Sequence, residues 1–185
     1  MQYKKYKQYR LPGYDYANAG DYFITVCTKD RAHYFGEISK TDRDAFIELT
    51  AIGSYVADCI LSIPDTFEEV ILGETVVMPN HVHLIITLPY KELNIVPEQS
   101  SVQQMISPQK GLKPLTPGSV SSIINHSKGK VKKWCNANCY DYFQWQARFH
   151  DRIIRNVGEY NRISNYIANN VWNWDCDENN QNGNL

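Results

Sequence analysis

The chain of 185 residues is long enough for one sizeable core, and 43% of it is hydrophobic. A formal net charge of -1 excludes a uniformly basic nucleic-acid coat, and five cysteines without framework spacing exclude a disulfide scaffold. The opening MQYKKYKQYR has no apolar signal-peptide core, and no apolar run nears the roughly 20 residues that span a bilayer, so a single domain over 1–185 with no membrane partner, in a reducing cytoplasmic setting, is expected.

At the N-terminus Lys4, Lys5, Lys7 and Arg10 alternate with Tyr3, Tyr6 and Tyr9, placing cations for phosphates beside rings on which bases stack. The stretch DYFITVCTK, Asp21 to Lys29, is rich in β-branched and aromatic residues and predicts a strand. TDRDAFIELTAIGSYVADCILSI opens with the capping-box pattern Thr41-x-x-Asp44. It sets Ala45, Leu49, Ile52, Val56 and Cys59 at helical spacing, predicting one amphipathic helix ended by Pro64. EEVILGETVVMPNHVHLIITL predicts two strands broken at Met78-Pro79-Asn80, a hairpin with histidines at the start of its second arm.

From Lys91 to about Gly118 the chain is rich in Pro, Ser and Gln and lacks periodicity, which predicts a flexible connection over 91–118. In SVSSIINHSKGKVKKW, Val120, Ile123, Ile124, Val131 and Trp134 form an apolar helix face, while Lys128, Lys130, Lys132 and Lys133 gather mostly elsewhere. Lys128, Lys132 and Lys133, with Arg152 and Arg155, are candidate phosphate contacts. Cys135 and Cys139 make half a zinc site that no second Cys/His pair completes. FQWQARFHDRIIR predicts a strand, and Asn156-x-x-Glu159 caps a last helix, VGEYNRISNYIANN. His150, in RFHDR, is a candidate for phosphate binding or protonation. The order of elements suits an α+β domain of the ferredoxin-like kind, with helices packed on an antiparallel sheet.

Alternation along a strand puts His81 and His83 on one face and Val82 and Leu84 on the other. Two neutral imidazoles at i and i+2 can bite a divalent cation from one side, with further ligands supplied from elsewhere in the fold. The plain alternative is a pair of partly exposed strand histidines bonded to backbone or water. Either way the pair is expected at the surface, so that replacing both leaves the fold intact.

MPNHVHLII resembles the His-hydrophobic-His (HUH) motif of single-tyrosine transposases, specifically the REP-associated tyrosine transposases. RLPGYDYANAGDYFITVCTKDRAHYFGEI, WQARFHDRIIRN and EYNRISNYIANN agree with that family in the same order. The resemblance implies an HUH endonuclease fold and a metal site of His81, His83 and Asn170 holding Mg²⁺ or Mn²⁺. It implies Tyr166 as the nucleophile that attacks a DNA phosphate, with single-stranded or hairpin DNA as partner and a homodimer as a common assembly. The family's proline after the amide is Val171 here.

Tyr166 and Asn170, four apart on a helix, can converge on one point. Tyr160 is the rival nucleophile in that helix, lying roughly 80° around from Asn170 on the Ile163 and Ile167 stripe. Two other functions compete: a histidine-triad-like nucleotide hydrolase, against which Ile85 stands in the third histidine's position, and a nucleic-acid-binding protein of the same fold without catalysis.

Overall fold

The computed structural model describes residues 14–90 and 115–180. Lys4, Lys5, Lys7, Arg10 and most of the expected connection over 91–118 lie outside these residues. Strands β1 (Gly20–Cys27), β4 (Ile71–Met78), β5 (His81–Leu88) and β6 (His150–Ile154) form an antiparallel sheet in the order β4-β5-β1-β6. Helices α1 (Ala51–Leu61) and α3 (Val120–Ala137) connect them, so β1-α1-β4-β5-α3-β6 is the ferredoxin-like double split βαβ unit. The fold is α+β, as the sequence predicts.

The two faces of the sheet are buried by different partners. On one, Tyr22, Ile24, Val26, Val82, Leu84 and Ile86 pack against Ile52, Val56 and Cys59 of α1 and Ile123, Ile124 and Val131 of α3. On the other, Ile85 and Ile154 pack against Ile163 and Ile167 of α4 (Val157–Ala168), with Phe23, Val76 and Tyr160 around them. The second face carries His81 and His83. Asn156 caps α4 as its sequence predicts, its side chain accepting from the Glu159 amide at 2.9 Å.

The expected helix from Thr41 is corrected. Its first part is a hairpin, β2 (Gly36–Lys40) and β3 (Ala45–Leu49), and the helix starts only after Thr50. Thr41 Oγ1 does accept from the Asp44 amide at 3.0 Å, as a capping residue would. The Thr41 amide also donates to the Asp44 carbonyl at 2.8 Å, which closes a strand-to-strand turn. Ala45 and Leu49 fit period 2 as well as period 3.6, and strand pairing wins. Thr50 is the true cap, accepting from the Gly53 amide at 3.1 Å, and Ile52, Val56 and Cys59 keep their predicted buried face. The helix also stops before Pro64, which sits in the first turn of a short helix, α2 (Ile63–Thr66).

Gly53 marks where α1 rests directly on backbone: a Cβ there would lie 1.9 Å from the Phe35 carbonyl oxygen. In an open helix Gly→Ala gains up to about 1 kcal/mol. Here overpacking dominates, and Gly53→Ala is expected to cost on the order of 3 kcal/mol, lowering the thermal midpoint by roughly 6–12 °C. A melting curve checks this, and an unchanged or raised midpoint would contradict the close approach.

Candidate active site

The tight turn at Pro79 and Asn80 starts β5 with its histidines already in place. Asn80 is fully buried, and its Nδ2 donates to the carbonyls of Arg31 (3.1 Å) and Asn179 (2.9 Å). That fixes the amide's orientation, so Asn80 Oδ1 accepts from His81 Nδ1 at 2.8 Å and His81 Nε2 is left with its lone pair. His83 Nδ1 lies 2.9 Å from Thr25 Oγ1, directly across the β1–β5 ladder, and its Nε2 is 3.0 Å from His81 Nε2. Neighbouring strands therefore hold both rings with their Nε2 atoms converging.

The pair is not at the surface. His81 is 0% exposed and His83 2%, because α4 and the segment after it cover this face. Burial drives both imidazoles toward the neutral form. It takes His83 down to about 4, and in His81 it is reinforced by the neighbouring His83.

Tyr166 extends from α4 over this pair. Its ring sits edge-on to His83 at 5.3 Å and to Phe23 at 6.1 Å. Its hydroxyl lies 3.2 Å from His83 Nε2 and donates to Asp177 Oδ2 at 3.2 Å, while the residue stays 42% exposed. Burial of the hydroxyl, followed by the Asp177 charge and hydrogen bond, raises the phenol to about 12. Tyr160 points elsewhere: its hydroxyl lies over Gly73 on β4, and its ring joins the Ile85 cluster.

Beyond the C-cap Asn169 the chain continues as turns into a 3-10 turn, Trp174–Cys176, that folds back over the site. Trp174 packs against the His81 ring at 6.0 Å. Asp177 brings a carboxylate whose ligand oxygen lies within 4.8 Å of the imidazole nitrogens, the only His/Cys/Asp/Glu grouping among the described residues able to hold a metal. Burial pushes this carboxyl up, but the Asn179 amide, the Asn170 side chain and the two histidines outweigh it and hold it low.

Asn170 is buried and donates to Asp177 Oδ2 at 2.9 Å, yet its own Oδ1 has no hydrogen-bond partner among the described residues. A buried acceptor left without a donor is one that a cation can satisfy. The imidazole nitrogens, 3.0 Å apart, have the separation of adjacent ligands around an octahedral ion with bonds of about 2.1 Å. Two nitrogens, a carboxylate and an amide oxygen thus form a donor set that fits a divalent cation.

The other sequence candidates divide. His150 pairs with Thr25 on β1, in one row with His83 on the far side of that strand, and burial followed by the Arg31 charge lowers it. Arg152 is exposed and ion-paired with Glu159, and Arg155 is exposed at the same end of α4. Lys133 is exposed, whereas Lys128 and Lys132 are committed to fold contacts. Lys128 Nζ donates to the Gln146 carbonyl at 2.6 Å, and Lys132 Nζ to those of Asp141 (2.9 Å) and Phe143 (2.6 Å). Ile85 is buried under α4 and offers no third histidine-triad group. Sequence reasoning missed Asn80, Thr25 and Asp177. The acidic run WDCDENN was the one visible hint of Asp177.

The buried histidines set a pH dependence. In the metal-free protein the folded value of His83 lies at about 4, against an ordinary 6.5. Between these values the unfolded chain binds a proton that the native state refuses, so stability is full above pH 6.5 and falls as pH drops toward 4, by on the order of 3 kcal/mol. Denaturant midpoints in EDTA at pH 7 and pH 5 measure it, and equal midpoints would contradict the burial.

No family model matches the chain. An uncharacterized protein of Haemophilus influenzae is 35% identical over 171 residues, covering 91% of this chain and 89% of the relative. Among solved structures, a REP-associated tyrosine transposase bound to a REP hairpin superposes with a TM-score of 0.54 at 20% identity, over 91% of this chain and 72% of that one. No helix among the described residues is long and apolar enough to cross a membrane. The chain belongs to the family of the Haemophilus influenzae protein, and its fold is that of the REP-associated tyrosine transposase.

Proposed function

We propose that the protein cleaves and rejoins single-stranded DNA, at sequences that fold into hairpins, through a covalent bond between phosphate and Tyr166. The observation that carries this reading is the position of the Tyr166 hydroxyl, 3.2 Å from both His83 Nε2 and Asp177 Oδ2, at the edge of a buried donor set that suits a divalent cation. His81, His83, Asp177 and the unsatisfied Asn170 Oδ1 are the groups that would hold Mg²⁺ or Mn²⁺. When bound, the cation supplies positive charge that favours the phenolate and polarises the scissile phosphate.

Tyr166 Oη forms a bond to phosphorus while the bond from phosphorus to the 3′ oxygen breaks, leaving a 5′-phosphotyrosine and a free 3′-hydroxyl. The phenol proton has an acceptor in Asp177 Oδ2, and the departing 3′ oxygen takes its proton from water. Attack by the 3′-hydroxyl of another strand reverses the step, and because the phosphoester energy is retained, joining needs no ATP. His81 and His83, held neutral by burial, keep lone pairs available at pH 7. The exposed edge of Tyr166 leaves a path for a strand, since the residue is less covered than the histidines beneath it.

The test is incubation with labelled, hairpin-bearing single-stranded DNA and Mn²⁺, followed by a denaturing gel. A protein-linked label is the expected product. Its absence from the wild type, with DNA still bound, would favour the binding-only function.

Binding should also depend on salt. Arg155 and Lys133 present charge on the described surface, and the sequence also carries Lys4, Lys5, Lys7 and Arg10. Each single-strand phosphate neutralised contributes a slope of about -0.7 in log K against log salt. Three or more contacts therefore predict a slope of roughly -2 or steeper. A flat salt titration would contradict phosphate contacts as the main source of affinity.

A further inference from the structure

We propose that Arg31 holds the phosphate that Tyr166 attacks, its guanidinium neutralising a non-bridging oxygen as the phosphorus becomes five-coordinate. This rests on the reading of Tyr166 as nucleophile.

The first observation is conformational. Asp30 and Arg31, directly after β1, are consecutive non-glycine residues with φ of 54° and 55°. Such backbone costs energy and persists only where its surroundings impose it. Here the buried Thr28 donates from Oγ1 to the Ala32 carbonyl at 2.8 Å, and Asn80, the residue that orients His81, donates to the Arg31 carbonyl at 3.1 Å. The loop that shapes Arg31 and the bond that aims His81 are therefore one structure.

The second observation is where the guanidinium goes. Arg31 Nη1 donates to Cys27 Sγ at 2.9 Å, and Cys27 is the ladder partner of His81, on the same face of the sheet. The same nitrogen reaches Asn179 Oδ1, and the Asn179 amide donates to Asp177 Oδ1 at 2.6 Å. The cation thus sits between the row of His81 and the segment that delivers Asp177.

The third observation is charge. Both acceptors of Arg31 are neutral, whereas the carboxylates of Asp175 and Glu159 are ion-paired with Lys40, Arg152 and Arg162. Arg152, on the other flank of the site face, is committed to Glu159, and Lys128 to a backbone carbonyl. A guanidinium has five N–H donors in a fork that matches phosphate. Arg31 is a half-buried cation at the row of His81, with donors to spare and no carboxylate partner among the described residues.

Arg31 also braces the C-terminal segment through Asn179, so the test must separate a charge role from a structural one. Single-turnover cleavage is measured on two versions of one hairpin-bearing strand, one with a normal scissile phosphate and one with a neutral methylphosphonate there. Arg31→Met should cleave the phosphate about 100-fold more slowly than wild type. On the methylphosphonate it should match wild type within a few-fold, and DNA affinity should change little. Arg31→Lys keeps the charge without the fork, and should show a smaller defect on the phosphate that likewise disappears on the methylphosphonate. This variant carries the test should Arg31→Met fail to fold.

Equal defects on both substrates, or none on the phosphate, overturn the Arg31 assignment while leaving Tyr166 in place. Absence of cleavage by the wild type on the phosphate overturns the nucleophile reading and this proposal with it.

Discussion

Tyr166→Phe is expected to bind hairpin-bearing single-stranded DNA as tightly as wild type and to form no covalent adduct, a drop of roughly 10⁴-fold or more in the rate of cleavage. The substitution removes one oxygen. The ring keeps its edge-on contacts with His83 and Phe23. The lost hydrogen bonds to His83 and Asp177 are made by a hydroxyl at a partly exposed position, so the stability change should stay near 1 kcal/mol. Tyr160→Phe is the matched control. Its hydroxyl lies over Gly73 on β4, away from the histidine pair, and adduct formation should survive. A denaturing-gel shift on wild type and both variants reads the result, and an adduct that persists in Tyr166→Phe removes this residue from the nucleophile's role.

The second large effect belongs to the histidine pair. Replacing His81 and His83 together with Ala should abolish Mn²⁺ binding in calorimetry and Mn²⁺-dependent cleavage. Contrary to the expectation for surface ligands, it should also destabilise the fold. His81→Ala leaves the buried Asn80 Oδ1 without its donor, and His83→Ala leaves Thr25 Oγ1 without its partner. Each loss costs about 1–3 kcal/mol. Thermal melts in EDTA separate this cost from the loss of metal. A double variant with unchanged Mn²⁺-dependent cleavage would contradict the assignment of these residues as ligands.

Much of the scaffold was legible because local rules and tertiary packing agree. The apolar run of β5, the break at Pro79 and Asn80, and the cap at Asn156 all appear where the pattern puts them. The shared face of His81 and His83 follows from strand geometry alone, and the place of Tyr166 beside them from helix phase once α4 lies on that face. The β2–β3 hairpin was not legible, because Thr41-x-x-Asp44 forms the same side-chain bond in a turn as in a cap.

The burial of the histidines depends on what covers the sheet, which no single-strand pattern reveals. Asp177 reaches the site through consecutive turns after α4, where there is no periodicity to read and acidic residues look like a solvated tail. Arg31 depends on two left-handed non-glycine residues, a conformation that their side chains disfavour and the surrounding bonds impose.

The most direct measurement is to map the covalent product. After reaction with hairpin-bearing single-stranded DNA and Mn²⁺, nuclease digestion should leave a short 5′-phosphonucleotide on the peptide containing Tyr166, and fragmentation should place it on that phenol. A nucleotide found on Tyr160 or on any other residue, or a cleaved strand with no nucleotide left on the protein, would contradict the proposed chemistry at its centre.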